Sequence, residues 1–160
     1  MCTPDDVFRV LANAWLYPSW VVGASRMRKV DANWPEPGAK LYHSVGAWPF
    51  LLDDSTSCIE WQPPHRMVFT ARGWPIGEAH VEVRVTERSY GCSVEMFEHP
   101  KRGPARFIPN WITDLSLRIR NRESLNRLAF LADGIADNMR RGQPSEAQTD
   151  APAHAGHTDT

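Results

Sequence analysis

Residues 78–87, EAHVEVRVTE, alternate without a break. Ala79, Val81, Val83 and Val85 fall on one side of an extended chain, and Glu78, His80, Glu82, Arg84 and Thr86 on the other. A helix would scatter the valines around its axis. A strand with one face in water and one in a core keeps them together. Similar runs, cut by Gly, Pro, Asp and Asn, extend from Val21 to Glu98. They predict strands over 21–30, 39–46, 50–54 with 57–62 (one bent strand or two), 66–73, 77–87 and 90–98. The links between them are short, so neighbours pair as antiparallel hairpins.

Helical signals flank this block. At the start, Thr3 can cap, Pro4 suits the first helical position, and Asp6 stands three residues after the cap. Val7, Val10, Leu11 and Ala14 follow at helical spacing, and Tyr17-Pro18 breaks the run. Asp5 and Asp6 read as first-turn charges that complement the helix dipole. After the strands comes HPKRGPARFIPN (99–110), a Pro, Gly and basic connector. WITDLSLRIRNRESLNRLAFLADGIADNMRR (111–141) then predicts one long helix. Asp114–Arg118 and Glu123–Arg127 are acid-before-base pairs four apart. Leu117, Asn121, Ser124, Leu128, Leu131 and Ile135 form one stripe, and Trp111, Leu115, Arg118 and Leu125 a neighbouring row. The band is wide, as for a helix laid across a sheet. Residues 1–141 are expected to form one domain, and the small, polar residues 142–160 a disordered tail.

Length and charge narrow the function classes. A chain of 160 residues buries enough surface to fold without disulfides. The three cysteines, Cys2, Cys58 and Cys92, are widely spaced. They match neither a disulfide framework nor a metal-ligand spacing, and read as reduced thiols of a cytoplasmic protein. No run of about 18 apolar residues spans a membrane, and the N-terminus lacks a signal-peptide pattern. Net charge is −1, so nothing draws the whole chain to nucleic acid. Residues 100–141 hold nine Lys/Arg against four acids. The helix scatters these arginines around its axis and interleaves no stacking aromatics, so nucleic acid is not the expected partner. Gly-rich phosphate loops, zinc spacings and nucleophile elbows are absent from the sequence, and no metal or cofactor is expected. His154 and His157 lie in the tail, without ordered partners for a metal.

VFRVLANAWLYPSWVVG, VDANWPEPGAKLYHSVGAWPF and RNRESLNRLAFLA together resemble the SRPBCC superfamily. It groups birch-pollen-allergen-like, polyketide cyclase/dehydrase and lipid-transfer proteins. The resemblance covers residues 4–133 and implies an α+β helix-grip fold. In that fold a curved antiparallel sheet wraps a long C-terminal helix, with an apolar cavity between them. Such proteins open with a strand, and here only four residues precede Asp5. Either the start lies upstream or the sheet lacks its first strand. The second case exposes an edge that a second copy of the chain could pair with.

The resemblance gives meaning to the seven tryptophans. Three precede proline, at Trp34, Trp48 and Trp74. Proline drives the residue before it toward an extended backbone and suits strand ends. The three indoles are therefore expected at the cavity mouth, as wall, gate or plug. Trp61, Met67, Phe69, Met96 and Trp111 supply further apolar wall, and Leu117 joins them from the helix. Packing into a filled core accounts for these residues equally well.

Polar candidates are few. In AKLYHSVG, His43 shares a face with Leu41 and Val45. If that face is inward, a neutral imidazole points into the cavity, as ligand anchor or general base. Asn121 adds an amide on the helix stripe. Arg26, Arg28, Arg118 and Arg122 are candidate anion anchors. His65, His80, Asp53-Asp54 and Glu98-His99-Pro100 read as surface, bend and strand terminus. The leading expectation is binding or carriage of a small apolar molecule, aromatic, polyketide-like or lipid-like. The alternatives are a polyketide cyclase/dehydratase-type enzyme with His43 as proton-transfer group, and a protein-interaction module.

Overall fold

The computed structural model describes residues 2–47, 49–73, 77–102 and 110–142, with the backbone alone at 47, 50, 73, 77, 100–102 and 110–117. Helix α1 (Pro4–Ala12) is followed by a single 3₁₀ turn (Ala14–Leu16) and a short α2 (Tyr17–Trp20). Six strands come next: β1 (Ala24–Val30), β2 (Lys40–Ala47), β3 (Phe50–Gln62), β4 (Arg66–Gly73), β5 (Gly77–Arg88) and β6 (Gly91–Arg102). Helix α3 (Asn110–Arg140) closes the chain. The strands form one sheet in chain order, every pair antiparallel. Short hairpins permit this meander, and register shifts in the β1–β2, β3–β4 and β5–β6 ladders bend it.

Helix α1 begins where the sequence signals it. The Thr3 side chain accepts from the Asp6 backbone N–H, and the Asp6 carboxylate accepts from the Thr3 N–H at 2.8 Å. Asn13 ends the helix, and its side chain accepts from the Trp15 N–H at 3.1 Å. Val7, Phe8, Val10 and Leu11 of α1, with Tyr17 and Trp20 of α2, pack on the inner face of the sheet. That face carries Leu41, Cys58, Met67, Phe69, Val81, Val83 and Val85, all buried. The valine alternation of β5 thus lands as its period requires.

Helix α3 lies against α1 and α2 and reaches β6. Ser124, Leu128, Ala132 and Ala136 are its buried line, four residues apart. Leu125, Leu131 and Ile135 flank it half-buried, which gives the wide band expected. Small side chains in that line let α3 come close to the N-terminal helices. The Val22 N–H donates to Ser124 Oγ at 3.2 Å, which explains a hydroxyl where a plain core would have leucine. The Glu123–Arg127 pair forms at 2.8 Å.

Three local expectations change. β3 runs unbroken through Asp53-Asp54, so those residues are not a bend. β6 continues to Arg102 and takes in Glu98-His99-Pro100. A proline is tolerated there because β6 is an edge strand, bonded among the described residues to β5 alone. Trp34 does not occupy an extended strand end. It lies in a turn, where its N–H donates to the Asp31 carbonyl at 3.0 Å. Residues 143–160, most of the expected tail, lie outside the described residues. Among the described residues no helix is long and apolar enough to cross a membrane.

Candidate functional site

Three side chains from three elements meet under the sheet. Tyr17 enters from α2, His43 from the middle of β2 and Thr56 from β3. Register brings the strands together: Leu41 pairs with Thr56 and His43 with Asp54. The Tyr17 hydroxyl lies 3.0 Å from Thr56 Oγ1, and His43 Nε2 lies 3.2 Å from the same oxygen. All three residues are buried. The Tyr17 and His43 rings also stack, tilted, with centroids 5.0 Å apart.

Thr56 has one hydroxyl proton to give. If Tyr17 donates to Thr56 and Thr56 donates to Nε2, each atom in the chain has a role. The imidazole proton then sits on Nδ1, which is buried and has no hydrogen-bond partner among the described residues. Burial pushes the His43 pKa below its ordinary value, against the pull of the Asp54 carboxylate and of the Ser44 backbone, which lies near the ring but outside hydrogen-bond geometry with Nδ1. The ring is therefore neutral at pH 7. Burial likewise pushes the Tyr17 phenol up to about 12. The set is a neutral acid, a relay hydroxyl and a neutral imidazole, able to hold a proton or hand it on.

The lowered His43 pKa carries a prediction. In the unfolded chain the imidazole titrates near 6.5. As pH falls below about 6.5 the unfolded chain takes the proton first, so stability declines until the folded pKa is reached. Above the unfolded value the contribution is constant. Urea midpoints between pH 5 and 8 should fall toward acid in the wild type, and fall less in His43→Gln. Equal slopes would contradict the assignment.

Beside this chain the inner face holds a second polar group. Glu98 shares its side of β6 with Val94 and Met96, and its side chain is only 8% exposed. It accepts from the guanidinium of Arg120 and, at 3.4 Å, from the Asn121 amide. Glu98 and Arg120 both act electrostatically on the Tyr17 hydroxyl, so one electrostatic environment spans the two groups.

An apolar cavity adjoins Tyr17. Leu11, Asn13, Ala14, Tyr17, Trp20, Trp34, Met67 and Phe69 line it, and its volume is about 10 Å³. That is the space one water needs. The wide hollow implied by the family resemblance is not what these walls enclose. Aromatic rings fill it: Tyr17, Trp20 and Phe69 meet edge to face at 5.5 to 6.4 Å.

The sequence candidates divide accordingly. Trp34, Met67 and Phe69 line the cavity, and the Trp34 indole N–H donates to the Leu11 carbonyl at 3.3 Å. Trp61 packs instead on Phe8, with ring centroids 5.0 Å apart, and Met96 is half-buried beside the core. Asn121 lies at Glu98. Arg118 and Arg122 are exposed. Arg28 is engaged with the carbonyls of His43 and Asp54 and with the Asp53 carboxylate, and Arg26 is exposed. Trp48 and Trp74 lie outside the described residues, as do the side chains of Trp111 and Leu117. His80, read as surface, has a buried Nε2 without a hydrogen-bond partner among the described residues.

Sequence reasoning missed Tyr17, Thr56, Glu98 and Arg120. For Glu98 a signal existed, because its parity with Val94 and Met96 places it inward. Tyr17 and Thr56 gave none, since their meeting depends on how α2 crosses the sheet.

The geometry can be set beside solved structures. Protein NE0264 from Nitrosomonas europaea aligns over 85% of this chain and 90% of its own, at TM-score 0.65 and 16% identity. Ara h 8.0201 aligns over 86% of this chain and 92% of its own, at TM-score 0.62 and 12% identity. These identities speak to fold alone. This is a helix-grip fold. The helix-grip chain also aligns, over 82% of its length, with the di-domain ARO/CYC BexL from the BE-7585A biosynthetic pathway, at TM-score 0.57 and 17% identity. It spans 46% of that longer chain. No family model matches the sequence, and no curated protein matches it.

Proposed function

We propose that this helix-grip protein binds a small, mostly apolar molecule between the sheet and its helices. The polar end of the ligand would meet the Tyr17–Thr56–His43 chain. One observation carries this reading: His43 Nδ1 is buried beside the aromatic ring cluster and has no hydrogen-bond partner among the described residues. An unmet buried donor costs about 1–3 kcal/mol, and His43 Nδ1, unlike His80 Nε2, belongs to a ring that packs on the Tyr17 face of the aromatic cluster. A ligand oxygen would satisfy it. Entry requires the ring cluster to part. Trp34 suits a gate, because it lies on a turn and is held to α1 by a single indole hydrogen bond.

Titration with 1-anilinonaphthalene-8-sulfonate, followed by indole fluorescence, tests the reading. Saturable quenching is expected, weakened at least tenfold in Trp34→Ala. Native mass spectrometry of freshly purified protein should show added organic mass that solvent extraction removes. No saturation, with no mass beyond the chain, would overturn it. A co-purifying protein in place of a small molecule would point to the interaction module.

The Tyr17–Thr56–His43 chain also favours a second reading, proton transfer of the cyclase/dehydratase type with His43 as base. There the Glu98-bound Asn121, or Arg120, would steady an enolate. His43→Ala would then abolish turnover of an aromatic polyketide that the variant still binds, more weakly, through the apolar walls. Unchanged turnover removes this reading and leaves the carrier.

A further inference from the structure

The segment before α1 and the first residues of β6 bring two thiols together. Cys2 Sγ lies 3.9 Å from Cys92 Sγ, across 90 residues of sequence. Both cysteines are free and half-buried. Their positions are set by neighbours on each side. Thr3, next to Cys2, is fastened to Asp6 through its N–H and its hydroxyl, each at 2.8 Å. Gly91, next to Cys92, has φ +99°, a conformation that favours glycine, and a Cβ there would stand 3.4 Å from the Cys2 carbonyl oxygen. The two backbones are thus already side by side. A disulfide needs its sulfurs about 2.05 Å apart. The sulfurs, at 3.9 Å, are already in van der Waals contact.

We propose that Cys2 and Cys92 form a reversible intramolecular disulfide that fastens the N-terminal segment to the first residues of β6. The oxidant is a hydroperoxide. Burial, followed by the neighbouring Cys2 sulfur, pushes the Cys92 thiol up to about 12, so it stays protonated at neutral pH. The first attack is assigned to Cys2, on the segment ahead of α1. Its sulfur takes the terminal oxygen of the hydroperoxide, the O–O bond breaks, and Cys2 sulfenic acid and an alcohol (water, from hydrogen peroxide) result. The Cys92 sulfur then attacks the sulfenic sulfur. The S–O bond breaks, the S–S bond forms, and water leaves with the Cys92 proton. One hydroperoxide is reduced for two thiols oxidised. A dithiol reductant reverses the step.

Cys58 is the internal control. It is 2% exposed in the core, and burial pushes its thiol up to about 11.

The test uses the full chain, reduced and then treated with one equivalent of hydrogen peroxide. Thiols counted after denaturation should fall from three per chain to one. Tryptic peptides run without reductant should show 1–9 joined to 89–101. The oxidised protein should melt higher by roughly 10 °C, since the link closes a long loop, and dithiothreitol should reverse the rise. Cys2→Ser and Cys92→Ser should each lose both the link and the rise. Cys2→Ser, on the half-exposed terminal segment, keeps the test valid if Cys92→Ser fails to fold. Retention of all three thiols, sulfinic acid at Cys2 without a link, or links between chains would each overturn the proposal.

Discussion

Phe69→Ala is expected to lower stability by about 4 kcal/mol and the melting temperature by roughly 8–16 °C. Phe69 is 3% exposed. Its strand neighbours are Cys58 on β3 and Val81 on β5, and both are fixed by ladders on either side. Truncation therefore leaves a hole that the sheet cannot close. The hole would merge with the cavity of about 10 Å³ that Phe69 already lines. Two edge-to-face contacts are lost as well, to Tyr17 and Trp20, each at 6.4 Å. Such ring pairs add about 0.5–1.5 kcal/mol beyond burial. Phe69→Leu keeps most of the volume and should cost under about 1.5 kcal/mol. Urea denaturation of both variants checks the pair. A loss below about 1.5 kcal/mol for the alanine variant would mean that the ring cluster is not the centre of the core.

Thr56→Val should cost about 3 kcal/mol, although it replaces a hydroxyl by a methyl of the same shape. Thr56 is fully buried, and its one oxygen serves both Tyr17 at 3.0 Å and His43 at 3.2 Å. Valine leaves two buried polar groups without a partner, at about 1–3 kcal/mol each. The dependence on Tyr17 gives a sharper check. In a Tyr17→Phe background one of those groups is already gone. Thr56→Val should then cost at least about 1 kcal/mol less, a coupling that a double-mutant cycle reads directly. Additive effects would show that the two hydroxyls act independently. The melting profile separates this from packing, because Thr56→Ala would add a cavity loss and Thr56→Ser would restore most of the stability.

Parity along each strand was enough to find the inner face. Val81, Val83 and Val85 alternate with charged residues, so they could face only inward. The same rule put His43 beside Leu41 and, carried two residues past Met96, would have put Glu98 there too. The Thr3–Asp6 capping box was equally plain, since both partners lie within one turn. The cavity was not legible in this way. Whether Trp34, Met67 and Phe69 enclose a hollow or close around a space for one water depends on the separation of α2 from the sheet. The small residues of α3 and the crossing of α1 and α2 fix that separation.

Local order was therefore written in the chain: the strand set, the antiparallel pairing, the capped first helix and the long last one. The physical reason is that periodicity and capping involve residues a few positions apart. Tertiary structure alone decided which distant groups touch. Tyr17 meets Thr56 across 39 residues, Arg120 meets Glu98 across 22, and Cys2 meets Cys92 across 90. Each of these contacts follows from register and crossing angle acting together, and neither leaves a mark on the residues nearby in sequence.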